Sequence, residues 1–170
     1  VPMVKVETLG AGGGSIVHVS GGKLEVGPKS AGSVPGPMAY GRGGSQPTVT
    51  DALVMLGILS TDAGFAGGSF QLKRDGIEEA FKAIGDQMGT SAEQAAFDSW
   101  RVVNANMTQG VRRTTAGKGI DPKDLVMLAY GGNGPAFAAI QAEDLGITRV
   151  LVPKASPTFS ALGTLVANPM

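Results

Sequence analysis

Apolar and polar residues alternate in the early part of the chain and recur at helical spacing later. Val4, Val6 and Leu9 alternate with Lys5 and Glu7, and Ile16, Val17 and Val19 resume after a glycine run. Leu24 and Val26 open a third apolar stretch beyond the turn residues Ser20-Gly21-Gly22-Lys23. Period-two alternation broken by turn residues predicts an antiparallel meander over residues 3–28. Residues 29–50 carry no period and are dense in Gly, Pro and Ser, so an irregular loop is expected; loops of this length in compact domains commonly bind something or are disordered.

Helical periods take over at residues 51–117. Thr50-Asp51 precedes Ala52-Leu53-Val54-Met55-Leu56-Gly57, which reads as a cap, a short apolar helix and a glycine stop. Ile77, Ala80, Phe81, Ile84 and Met88 fall at steps of three and four between Asp75 and Gly89, with Glu78, Glu79, Lys82 and Asp86 on the outer face. Ser91 with Gln94 has capping-box form, and Ala96, Trp100, Val103, Met107 and Val111 continue one apolar stripe toward Thr115. Arg112 and Arg113 fall in its last turn, where positive charge offsets the helix dipole.

Residues 124–153 read as a βαβ unit. Leu125-Val126-Met127-Leu128-Ala129-Tyr130 is uniformly apolar, as a buried parallel strand is, and Val150-Leu151-Val152 has the same character. Gly131-Gly132-Asn133-Gly134-Pro135 and an alanine-rich helix ending at Gly146 lie between them, about the length of a right-handed crossover. A last helix is expected over 157–167.

Composition narrows the classes. Fourteen basic residues balance fourteen acidic ones and no block of like charge occurs, which argues against a nucleic-acid surface or an acidic-membrane anchor. No apolar run reaches the roughly 18 residues of a membrane helix. Cysteine is absent, which excludes disulfides and thiolate metal sites and agrees with a cytoplasmic protein. Glycine makes up 27 of 170 residues, more than twice the usual roughly 7%. Together with the start at Val1, this composition raises the expectation of a fragment.

Chemistry concentrates where the glycines do. At Gly131, Gly132, Asn133, Gly134 and Pro135 a strand delivers a bare turn into a helix start, where unpaired N–H groups favour an anion and the absence of Cβ atoms allows close approach. The same pattern also serves as a plain strand-to-helix turn. Gly12, Gly13, Gly14 and Ser15, with Asp51, form a second candidate, a phosphate or interdomain loop. That run lacks both Walker A spacing and a dinucleotide fingerprint. His18, the sole histidine, sits among apolar neighbours without companions at metal-ligand spacing, so no metal site is expected. No catalytic residue is identified.

Several separated motifs occur in one order: Leu9-Gly10-Ala11-Gly12-Gly13-Gly14-Ser15-Ile16, Gly32 to Gly44 with Pro35-Gly36-Pro37 and Tyr40-Gly41-Arg42-Gly43-Gly44, Pro47-Thr48-Val49-Thr50-Asp51-Ala52, Gly131 to Pro135, and Phe159-Ser160-Ala161-Leu162-Gly163. On these, nearly end to end, the chain resembles the hydantoinase A / 5-oxoprolinase family of the actin, sugar-kinase and chaperone ATPase superfamily. The resemblance implies an α/β fold over residues 1–170: an RNase-H-like, actin/sugar-kinase-type C-terminal lobe with a mixed sheet and flanking helices, incomplete without upstream segments. It places the 131–135 turn at the adenosine side of a bound nucleotide.

The resemblance also implies ATP and Mg²⁺, held mainly by Asp-x-Gly-Gly-Thr-type loops that this chain lacks, so the isolated chain is expected to be inactive. Implied partners are a hydantoinase B-like subunit and the remainder of its own subunit. The implied function is part of an ATP-dependent multisubunit carboxylase, a ligase that phosphorylates a ketone carbonyl or enol before joining it to bicarbonate. Two alternatives stand: an ATP-dependent cyclic amidase, a hydrolase of the hydantoinase or 5-oxoprolinase type, and a non-catalytic actin-like scaffold. Phe137 stands where relatives usually have His, Ala39 replaces a frequent Cys, and Ser156-Pro157 replaces a common Pro-Gly. These departures leave a degenerate copy open.

Overall fold

A computed structural model of the protein describes residues 6–62, 64, 68 and 70–166. The chain forms two compact units, Val1–Asn106 and Met107–Met170. Both mix helix with strand, giving an α/β chain.

The first unit begins with a hairpin, β1 (Ser15–Ser20) and β2 (Lys23–Ser30), paired antiparallel with Val17 opposite Val26 and His18 opposite Glu25. Its two-residue turn is Gly21-Gly22, both at positive φ (55° and 74°), the geometry that matches the twist of the flanking strands. The expected three-stranded meander is corrected to this hairpin. Val4 lies outside the described residues, and residues 6–14 form no strand. The physical reason lies in the glycine run, whose carbonyls bond elsewhere: Gly13 O accepts from Thr50 N at 2.8 Å and Gly14 O from Ala31 N at 2.9 Å.

Helix α1 (Val49–Met55) follows, then α2 (Ile77–Met88) and α3 (Ala92–Ala116), within which the unit boundary falls. The α1 cap is Thr48, not Thr50 or Asp51: Thr48 is extended (φ −124°, ψ 173°) and Asp51 is the third helical residue of a capping box. Each of α2 and α3 starts within two residues of its predicted start, and α2 ends at the left-handed Gly89. Helix α1 meets α2 and β1, and α2 also meets β1. The interior there holds Val17, Val49, Leu53, Val54, Ile77 and Phe81, each at most 2% exposed. Residues 29–50 contain a short 3₁₀ turn, Met38–Tyr40, between irregular segments.

The second unit carries β3 (Met127–Leu128) and β4 (Val150–Leu151), paired parallel, with α4 (Gly134–Leu145) between them in sequence and α5 (Phe159–Val166) after them. Ala142, Leu145 and Ile147 form its core with Val111 and Met127. The strands were expected to be buried, and here the structure differs: Leu128, Leu151 and Val152 are 46%, 58% and 52% exposed. Helix α4 packs against β4, but a two-stranded pair of two residues each has too little area for both faces to be covered within the described residues. Arg112, read as neutralising its own helix end, donates to the Asp144 carbonyl in the last turn of α4.

Candidate functional site

The turn at Gly131 to Pro135 leaves β3 and enters α4 with Asn133 as N-cap and Pro135 in the first turn. Gly131 is at φ 88°, a conformation that L side chains rarely adopt. Two bonds pin it to a residue 25 positions away: Gly131 N donates to Ser156 O at 2.8 Å, and Ser156 Oγ donates to Gly131 O at 3.2 Å. Ser156 is buried, so this clasp is shielded from water. Neither the Gly132 nor the Gly134 amide finds an acceptor among the described residues. Space lies open beside them: a Cβ at Gly132 would meet nothing within 4 Å, and one at Gly134 only the Ala129 carbonyl carbon at 3.9 Å. Two open amides at the start of a 12-residue helix can donate to an anion whose charge the helix dipole also favours.

Ser156 is the residue that sequence reading missed. It drew notice only as a departure from a Pro-Gly pair, and nothing local announces a partner that distant. Phe137, the other departure, is 4% exposed inside α4, a core side chain turned away from solvent.

Gly12, Gly13, Gly14 and Ser15 form a loop fastened at both ends. Ser15 N donates to Gly12 O and Gly12 N to Ser15 Oγ, each at 3.0 Å, while Thr50 Oγ1 adds a second bond to Gly13 O at 3.0 Å. A Cβ at Gly14 would lie 2.8 Å from Ser30 Oγ, so a larger residue there would have to turn that exposed hydroxyl aside. A shallow cavity of about 250 Å³ lies against Leu9 to Gly12, Ser15 and Pro28.

Asp51 belongs to the same unit, but it is fully buried. Its Oδ1 accepts from Ala39 N at 2.7 Å, and Oδ2 from Thr48 N at 2.7 Å, Thr48 Oγ1 at 2.8 Å and Met38 N at 3.2 Å. Burial pushes its carboxyl above the ordinary carboxylate value, with these donors pulling the other way. Its oxygens are spent on the Gly/Pro-rich loop, which makes it a brace for that loop.

His18 pairs across the hairpin with Glu25, Nε2 to Oε2 at 3.3 Å, both half exposed. Among the described residues no three His, Cys, Asp or Glu side chains come together as a metal site would require. A larger cavity, about 540 Å³, opens between the end of α1 and the starts of α2 and α3. Arg74 faces it together with Glu78 and Glu93, and charges of both signs favour no single ligand class. No helix among the described residues is long and apolar enough to cross a membrane.

Comparison with known proteins gives one consistent family. The model of the hydantoinase/oxoprolinase family matches residues 1–170. The caprolactamase subunit alpha of Pseudomonas jessenii is 43% identical over 99% of this chain and 24% of its own length. The crystal structure of the ATP-dependent caprolactamase from that organism superposes with a TM-score of 0.87, again over 99% of this chain and 24% of that one. The acetophenone carboxylase gamma subunit of Aromatoleum aromaticum is 40% identical over 99% of this chain and 23% of its own length. A nucleotide-free acetone carboxylase structure has a TM-score of 0.83 at 31% identity, over 93% of this chain and 22% of that one. The chain therefore spans about a quarter of the length of these relatives.

Proposed function

The chain belongs to the hydantoinase/oxoprolinase family, and from that premise we propose that it is part of an ATP-dependent enzyme that activates a carbonyl oxygen of a small ketone or cyclic amide. The observation that carries this reading is the 131–135 turn, where the Gly132 and Gly134 amides stand without acceptors at a helix start and no side chain blocks their approach. A nucleotide fits such a cradle. Bound ATP supplies the phosphoryl group that makes the substrate oxygen a better leaving group or fixes an enol. The part of this chain is to hold and orient: the two amides donate to the nucleotide, and the Ser156 clasp keeps Gly131 in its left-handed conformation so that the amides stay aimed. Mg²⁺ belongs to the same proposal, held mainly by polypeptide outside the described residues, which offer no ligand cluster for it.

The fold reading is an RNase-H-like, actin-type lobe completed by further polypeptide. The exposed apolar residues Leu128, Leu151 and Val152 support it, because parallel strands are ordinarily covered on both faces. A hydantoinase B-like subunit is the proposed catalytic partner, and the cytoplasm the proposed compartment. Carboxylation of an activated ketone is the first reading of the overall reaction. Hydrolytic opening of a cyclic amide is the second, favoured by the 43% identity to the caprolactamase subunit.

The test is Gly132→Val in the intact subunit. Gly132 has an ordinary φ and open space around it, so the unliganded fold accepts the side chain. Nucleotide affinity should nevertheless fall by at least about tenfold, or ~1.4 kcal/mol. Unchanged affinity by calorimetry, in a variant with wild-type melting temperature, refutes nucleotide contact at this turn.

A further inference from the structure

We propose that Arg42 and Lys73 form a binding site for a phosphate group in the first unit. Arg42 stands between two left-handed glycines, Gly41 at φ 63° and Gly43 at φ 86°. Its guanidinium carbon lies 5.1 Å from the Phe70 ring centroid and 5.9 Å from that of Tyr40. The two rings meet edge to face, 5.3 Å apart at 86°. A guanidinium held within cation–π reach of two rings keeps N–H donors for an oxyanion, because that attraction engages its charge and consumes no N–H.

Lys73 supplies the second charge. A Cβ at Gly41 would fall 2.8, 3.0 and 3.3 Å from Lys73 Cδ, Cε and Nζ, so the lysine side chain runs along the Gly41 backbone and places its ammonium beside the Arg42 loop. The left-handed backbone at Gly41 favours glycine, and the missing Cβ leaves the lysine stem room to lie there.

The base under these side chains is fixed. Lys73 N donates to Ala39 O at 2.9 Å, and buried Asp51 holds the Ala39 and Met38 amides. A Cβ at Gly44 would lie 2.3 Å from Gly36 O, so the two ends of the loop are in direct backbone contact. A site braced in this way loses little entropy when it binds.

Neither cation has an anionic partner among the described residues. The ion pairs among the described residues are His18–Glu25, Lys82–Asp86 and Lys123–Asp121, and no side-chain hydrogen bond involves Arg42 or Lys73. In a chain with no net charge, two unpaired cations carried against one braced loop are a local feature rather than part of a general positive field. A carboxylate would neutralise only one of them, whereas a phosphate carries between one and two negative charges near neutral pH and offers several acceptor oxygens. Two sources share that chemistry: the phosphate tail of a nucleotide and inorganic phosphate. The nucleotide source rests on the ATP-dependent reading above.

The experiment uses the intact wild-type enzyme, acetylated with and without ATP, inorganic phosphate or adenosine. Modification at Lys73 is read by mass spectrometry against exposed Lys23, and binding of labelled ATP is measured in parallel. ATP, inorganic phosphate or both should slow Lys73 acetylation about tenfold at saturation, while adenosine leaves it unchanged. Protection by ATP alone assigns the nucleotide tail, and protection by phosphate assigns the free anion. Arg42→Ala should lower affinity for the protecting ligand about tenfold, and Arg42→Lys should restore it only in part because an ammonium lacks the planar fork. Equal Lys73 acetylation with and without both anions overturns the proposal whether or not the Arg42 variants fold. If labelled ATP binds while Lys73 stays unprotected, this site alone falls. If ATP does not bind at all, the ATP-dependent reading falls and the inorganic phosphate arm decides the site.

Discussion

A carboxylate without exposure to water and with four donors around it is under two opposing pressures. For Asp51 burial raises the pKa and the bonds from Ala39, Thr48 and Met38 lower it, with burial the larger. The sign of the pH dependence follows. A carboxyl whose folded pKa lies above its unfolded value near 3.8 binds more protons folded than unfolded, so its contribution to stability shrinks as pH rises from that value through the raised one, and is constant beyond. The stability gap between wild type and Asp51→Asn, measured by urea unfolding from pH 3 to 8, should therefore narrow as pH increases. A gap that widens would mean that the donors outweigh burial. Asp51→Ala should cost about 1–3 kcal/mol for each buried donor left without an acceptor, and should loosen the Met38–Tyr40 turn. Asp51 itself stood out in the sequence, but its task did not. The spacing Thr48 to Asp51 is local and readable as a capping box, whereas Met38 and Ala39 sit 13 and 12 residues back in a segment without period. Ser156 escaped notice for the same reason, since its clasp on Gly131 joins residues that no spacing rule connects.

Elements were legible wherever their determinants are local. The ends of α2 and α3 follow from Gly89 and from the Ser91 hydroxyl, which accepts from Gln94 N at 3.1 Å. The hairpin turn follows from two consecutive glycines. What local reading cannot see is a neighbour packed against the outside of an element, and Gly85 is the case in point. A glycine inside a helix is ordinarily worse than alanine by about 1 kcal/mol, so Gly85→Ala would be expected to stabilise α2. Here an added Cβ would lie 2.6 Å from Thr90 O and 2.9 Å from Ser91 O, both backbone atoms of the turn into α3. The sign should reverse: Gly85→Ala is predicted to destabilise the protein by about 1–3 kcal/mol, read as a lower urea midpoint at unchanged slope. A raised midpoint would show that the 89–91 turn can move aside. Strands β3 and β4 illustrate the converse limit, because an apolar run of six residues predicted a buried strand and only Met127–Leu128 enters the ladder.

At the scale of the molecule, the chain is a family segment organised as two units, matching proteins about four times its length. The proposed activity is therefore one to assay in the intact enzyme, where the two readings of its reaction separate. Labelled bicarbonate supplied with ATP and a panel of ketones and lactams should leave label in an acid product if carboxylation is the reaction. ATP-dependent ring opening without label assigns the cyclic amidase instead, and neither product under conditions of confirmed ATP binding favours the scaffold. The sequence by itself determined the family, the α/β alternation, the limits of α2 and the start of α3, and the position of the bare turn at residues 131–135, because each is written in neighbours no more than a few residues apart or in motifs kept in order. Tertiary structure alone decided that Asp51 is a brace, that Ser156 holds Gly131, that Lys73 lies along Gly41, and that the parallel strands keep exposed apolar side chains. These depend on which distant segments meet and on which faces find a cover, and chain closure sets both only once the elements have packed.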